Sequence, residues 1–143
     1  MAQLVLFGAV AVSGVAGPAW GGWPATIGIA LGAILIGCGG VLSLRGVLDL
    51  RESLTPFPKP LEGARLVESG AYRLVRHPIY GGLVLGALGW GLVRASPLTL
   101  AGVLLLTVFF DLKSRREEIW LSESYPDYPA YRSRTHRLLP WVY

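Results

Sequence analysis

The sequence predicts an all-α integral membrane protein with about four transmembrane helices, and three observations predict it. Of 143 residues, 52% are hydrophobic and only 15% charged, with a mean hydropathy of +0.50; a single small soluble domain has too little core to hide that much apolar surface. The apolar residues fall into long runs, separated by Gly/Pro-rich or charged segments. The basic residues cluster: none precedes Arg45, and of the 13 only Arg94 lies outside the segments 45–76 and 113–137.

Met1 to Ala16 carries only Gln3 and Ser13 as polar side chains and reads as a first, short membrane helix. A cleaved signal peptide is the alternative, against which stands the missing basic n-region. Gly17 to Pro24 breaks the helix with an uncharged turn whose Trp20 and Trp23 suit the headgroup level. Ala25 to Leu44 is an uncharged stretch of about twenty residues, enough for a hydrocarbon core of about 30 Å. Its Gly28-x-x-x-Gly32 spacing suits close helix packing.

Residues 51–78 form a polar connector in which Thr55 to Pro60 is expected to be extended, because proline disfavours helix in the residue before it. Residues 79–112 read as a helical hairpin, Ile79 to Val93 and Leu98 to Leu112, broken at Arg94–Pro97. Each arm of about fifteen residues rises about 22 Å, short for a full span. Residues 113–143 form a tail that continues the last helix in amphipathic form and then breaks at Tyr125, Pro126 and Pro129. Leu138, Leu139, Trp141, Val142 and Tyr143 are placed to return to the interface. The whole is one domain without an internal repeat, 1–50 supplying its first two helices.

The positive-inside rule puts 45–76 and 113–137 in the cytoplasm, so four spans leave both termini inside, in a cell inner membrane. A net charge of +4 placed this way reports topology, and no nucleic-acid partner is expected. Cys38 is alone and cannot form an intrachain disulfide. His77 and His136 have no metal-ligand spacing, and no metal is expected. Oligomeric state is not legible.

The chemistry centres on Gly70-Ala71-Tyr72-Arg73-Leu74-Val75-Arg76-His77-Pro78-Ile79-Tyr80-Gly81-Gly82, a basic junction entering an apolar helix with Pro78 in its first turn. Two readings stand for these residues alone: an interfacial flank anchored by Tyr80, or a ligand site offering a guanidinium, an imidazole and a phenol. Glu117 and Glu118 likewise either pair with Arg115 and Arg116 on a solvated helix or direct one carboxylate inward; adjacent helical positions differ by about 100°, so one of the two is expected to face a site. No nucleophilic triad or phosphate loop is present in the pattern.

The segment Leu66 to Gly82, followed by Glu117-Glu118-x-x-Leu121, Tyr128-x-x-Tyr131 and Arg137-Leu138-Leu139-Pro140, resembles the isoprenylcysteine carboxyl methyltransferase and phospholipid methyltransferase superfamily of membrane enzymes. The resemblance covers roughly Pro56 to Pro140. Departures are Ala71 where proline is frequent, Tyr125-Pro126 in place of Phe-Gly, and His136 where proline is common.

The resemblance implies S-adenosylmethionine as cofactor and a lipophilic acceptor, such as an isoprenylcysteine-like carboxylate or a lipid, drawn from the bilayer. It implies that His77, Tyr80, Gly82, Glu117, Glu118, Tyr128 and Tyr131 line the cofactor, with Glu118 favoured over Glu117 for its amino group. Arg73 and Arg76 suit the cofactor carboxylate or an anionic substrate group, and Arg76, His77 and Glu118 are the catalytic candidates. Competing readings are a nicotinamide-binding membrane reductase, since sterol reductases carry a similar Arg-His-Pro-x-Tyr element, and a non-enzymatic membrane packing or adaptor protein.

Overall fold

A computed structural model describes residues 2–17, 19, 21, 23–50 and 66–142. Within them the order is α1 (Ala2–Ala16), α2 (Trp23–Leu50), a 3₁₀ turn (Gly70–Arg73), α3 (Pro78–Val93), α4 (Pro97–Ser124) and α5 (Tyr128–Ser133). The only pairing outside helices among the described residues is an isolated parallel bridge between Val75 and His136. The expectations for Trp20, the Trp23 side chain and Thr55 to Pro60 lie outside the described residues.

Both hairpin helices start on proline, whose fixed φ suits the first helical position and whose missing N–H is not needed there. At α4 the Ser96 hydroxyl also accepts the Thr99 N–H at 3.2 Å, an N-cap. One helix differs from expectation in length: α2 runs on through Arg45 and Asp49 to Leu50, whereas α4 reaches Ser124 and stops before Tyr125, as the continuation of the last helix was expected to do. Charged residues end a membrane span but not a helix, whose backbone bonds are local. From Ala25, α2 is long and apolar enough to cross a membrane, as is α4, while Gln3–Ala16 and Pro78–Val93 are shorter apolar helices.

The chain divides into two compact units. The apolar unit contains residues 1–41 and 82–110. There α2 and α3 pack through glycines: a Cβ on Gly32 would meet the Gly89 carbonyl oxygen at 2.5 Å, and one on Gly89 would meet that of Gly32 at 2.5 Å. Gly39 approaches the Gly82 carbonyl in the same way. This is the close backbone contact that small residues permit in lipid, where helix association relies on packing instead of water exclusion. Phe7 packs on Phe110 with ring centroids 6.0 Å apart, and Val10, Val103 and Leu106 are buried beside them. Leu4, Val5, Val15, Ile34, Leu104 and Leu105 are at least 60% exposed, an outer surface suited to acyl chains. Ser13 and Thr99 share a hydroxyl hydrogen bond at 3.1 Å, so these two polar groups satisfy one another within the apolar unit.

The polar unit contains residues 42–81 and 111–143. Asp49, near the end of α2, accepts the Ala71 N–H at 2.7 Å, fixing the start of the 3₁₀ turn. Gly70 stands at φ +60 with the Asp49 carboxylate where its Cβ would project, so glycine meets both a left-handed backbone and a steric need there. The tail then lies along 74–77. Arg76 N–H donates to the His136 carbonyl at 2.8 Å, His77 N–H to that of Arg137 at 3.0 Å, and His136 N–H to that of Leu74 at 3.3 Å.

Candidate active site

The site is built in the polar unit where the start of α3, the charged part of α4 and the tail converge. Pro78, fully buried, holds the first turn of α3 so that His77 and Tyr80 point to α4. Their rings stack at 5.6 Å with planes 4° apart. The Tyr80 hydroxyl donates to Glu117 Oε1 at 2.7 Å. His77 Nδ1 is 3.5 Å from Glu117 Oε2 and its Nε2 is 3.5 Å from Glu118 Oε1. Those separations are long for hydrogen bonds, and Nε2 is a buried atom without a hydrogen-bond partner among the described residues.

Both carboxylates are buried, Glu117 at 8% exposure and Glu118 at 3%, where only one was expected to face inward. The pair spans about 100° of the α4 circumference, and the protein covers that arc from two sides. His77 and Tyr80 cover Glu117, and the tail covers Glu118. Arg76 Nε donates to Glu118 Oε1 at 2.8 Å, Arg137 Nε to the same oxygen at 3.2 Å, and Arg137 Nη2 to Oε2 at 3.4 Å. Arg132 Nε lies 3.6 Å from Oε2. Glu118 is therefore the hub of a guanidinium cluster, whereas the contacts to Glu117 come from a phenol and an imidazole.

The guanidiniums are themselves fixed. Arg76 Nη1 donates to the Arg132 carbonyl at 3.1 Å and to the Thr135 carbonyl. Arg137 Nη1 pairs with Asp111 Oδ1 at 3.0 Å, and Asp111 Oδ2 accepts from Arg115 at 2.8 Å. The buried pairs of Arg76 and Arg137 with Glu118 hold geometry more than they add net stability, because desolvation offsets much of the attraction. On the other flank the Lys113 ammonium stands 4.8 Å from the Tyr80 ring centroid.

The two tail tyrosines are core residues of this unit. Tyr131 donates to the Tyr72 carbonyl at 2.7 Å and meets Tyr128 edge-on at 5.8 Å. Tyr128 is fully buried, and its hydroxyl has no hydrogen-bond partner among the described residues. Burial pushes the phenols of Tyr72, Tyr128 and Tyr131 up, with the Asp49 charge adding to it at Tyr72 and the Glu118 charge at Tyr128.

Of the sequence candidates, Arg76, His77, Tyr80, Glu117, Glu118, Tyr128 and Tyr131 are thus brought together in one unit. Arg73 is exposed at the end of the 3₁₀ turn. Gly82 lies in the apolar unit, packed against Gly39. Sequence reasoning missed Asp49, Asp111, Arg132 and Lys113. Arg137 had a signal in the Arg-Leu-Leu-Pro closing pattern; the others sit at positions whose roles arise from contacts far away in the chain.

The chain belongs to the phospholipid methyltransferase family, which it matches over residues 27–128. A probable protein-S-isoprenylcysteine O-methyltransferase of Oryza sativa subsp. indica is 35% identical over 80 residues, 54% of this chain and 42% of that protein. The cobalt-zinc-cadmium resistance protein CzcN of Cupriavidus metallidurans is 36% identical over 77 residues, 52% of this chain and 35% of its own length. The nickel-cobalt-cadmium resistance protein NccN of Alcaligenes xylosoxydans xylosoxydans is 32% identical over 81 residues, 55% and 38% respectively. The chain thus spans about two fifths of the length of the curated relatives it matches.

Proposed function

We propose that this chain is an integral membrane methyltransferase that uses S-adenosylmethionine and acts on a lipophilic acceptor entering from the bilayer. On this reading it has four spans, with both termini and the site on the cytoplasmic side of the inner membrane. Family membership supports the reaction class, and the two basic segments support the orientation. The observation that carries the reading is the cation-holding corner made by Tyr80 and Glu117. An ammonium rests over the Tyr80 ring, and the hydroxyl of that ring is tied to a buried carboxylate.

The residues present fit the cofactor's chemistry. It is a sulfonium with an adjacent ammonium and carboxylate, and an aromatic face beside a carboxylate suits such cations. When bound, it supplies a methyl group activated on positively charged sulfur. Tyr80 and Glu117 hold the cationic end, and Arg73 meets the carboxylate. Glu118, saturated by Arg76 and Arg137, acts as a positioning residue that keeps His77 and the tail in place. The Tyr128 hydroxyl, buried without a hydrogen-bond partner among the described residues, supplies a polar contact that a ligand satisfies.

Displacement at carbon gains chiefly from alignment and from exclusion of water, and needs no metal. The buried flank of Glu117, His77 and Tyr80 provides the dry wall. A carboxylate acceptor requires no base; an amine acceptor gives its proton to Glu117 or His77. The test is titration of the detergent-purified chain with S-adenosylhomocysteine and, separately, NADPH, by calorimetry. Saturable binding of the first, lost in Glu117→Gln with the fold intact, supports the reading. Binding of NADPH alone to folded protein overturns it in favour of a reductase.

A further inference from the structure

The geometry points to Lys113 as a tethered occupant of the cation site, a side chain that must yield when a sulfonium enters and that discriminates the charged cofactor from its neutral thioether product. The inference rests on the proposed methyltransferase reading. Lys113 and Glu117 are four residues apart on α4, so they lie on one face of the helix, one turn apart. The Lys113 ammonium stands 4.8 Å from the Tyr80 ring centroid, and the Tyr80 hydroxyl donates to Glu117 Oε1 at 2.7 Å. One aromatic face thus already carries a cation supplied by the chain itself, and the hydroxyl of that ring is tied to a buried carboxylate.

Two cations cannot share that face without repulsion, whereas the thioether sulfur of the product brings no charge to it. The ammonium and carboxylate are common to both ligands, so only the sulfur distinguishes them there. Lys113 is partly buried and sits at the end of a flexible four-carbon stem, so it can leave the ring without rearranging α4. Arg76 and Arg137 are clasped between carboxylates and backbone carbonyls on the Glu118 side of the site. Lys113 is the cation placed on the aromatic face.

The experiment compares the detergent-purified full chain with Lys113→Met and Lys113→Arg, after circular dichroism and size-exclusion profiles show each variant folded. Calorimetric titrations use S-adenosylmethionine and S-adenosylhomocysteine. The expected result for Lys113→Met is binding of S-adenosylmethionine about three- to tenfold tighter than in wild type, the range of a partly desolvated cation–π contact, with S-adenosylhomocysteine changed less than twofold. Lys113→Arg keeps the wild-type ratio.

Equal tightening of both ligands, or weakening of S-adenosylmethionine in Lys113→Met, overturns the inference. If no variant binds either nucleoside, the methyltransferase reading fails and trimethylsulfonium decides the cation site by itself. Thermal stabilisation of Lys113→Met, but not of wild type, by trimethylsulfonium chloride over equimolar sodium chloride supports the site; no stabilisation of either protein overturns it.

Discussion

Neutralising the two adjacent glutamates one at a time should separate architecture from ligand binding. In Glu118→Gln the amide cannot balance Arg76 and Arg137, whose side chains are only 7% and 12% exposed. Leaving buried charge uncompensated costs about 3–5 kcal/mol. In Glu117→Gln the partners affected are the Tyr80 hydroxyl at 2.7 Å and an imidazole nitrogen at 3.5 Å. The amide oxygen can still accept from Tyr80, so the cost is about 1 kcal/mol.

The assay is thermal unfolding in one detergent together with S-adenosylhomocysteine titration. Glu118→Gln is expected to lose much of its thermal stability and to release the tail to protease, whereas Glu117→Gln melts within a few degrees of wild type yet loses ligand affinity. If Glu118→Gln is as stable as wild type, or if Glu117→Gln binds normally, the assigned division of roles is wrong.

Three further outcomes follow from the same geometry. Gly81→Ala places a methyl group against the Leu138 carbonyl oxygen; the tail retreats by about 1 Å, a misplacement that costs on the order of a hundredfold in turnover, and hydrogen exchange at His77 and His136 should speed up. Gly32→Leu pushes α2 from α3 where the Gly89 carbonyl leaves room for no side chain, so the variant should lose thermal stability by about 2 kcal/mol or more, while Gly37→Leu, with nothing within 4 Å of a Cβ, should not. Tyr72, Tyr128 and Tyr131 have folded-state values raised by burial above the ordinary 10.0, so their stabilising contribution is complete below pH 10 and lost as pH rises beyond it. Between pH 10 and 11.5 the melting temperature should fall more steeply for wild type than for Tyr128→Phe.

The apolar helices were legible because long uncharged runs leave few alternatives to a helix, and two of them, from Ala25 and from Pro97, have the length and composition that a membrane imposes on a segment that crosses it. Their polar ends were not: the first charge looks like a helix end, yet α2 carries Arg45 and Asp49 onward, and Asp49 then caps a turn more than twenty residues away. In the site, Arg76, His77, Tyr80 and the glutamate pair stood out as residue types in a recognisable order. That both glutamates are buried was not visible, since helical periodicity knows only one helix and the second wall comes from Arg137 and Arg132. Gly82 carries a second role that its motif does not announce: its carbonyl stands where a Cβ on Gly39 would project, a helix-packing contact set by a residue more than forty positions away.

The short parallel bridge between Val75 and His136 also works as a registration mark. By pairing His77 N–H with the Arg137 carbonyl, it fixes which tail side chain arrives at Glu118. A slip of one residue would bring His136 or Leu138 there instead, turning the side chain to the opposite face. The segment between Ser124 and His136 is therefore measured in whole residues: a single insertion there should disable the site even if every side chain now in it is retained, whereas an insertion after Pro140 should leave it untouched.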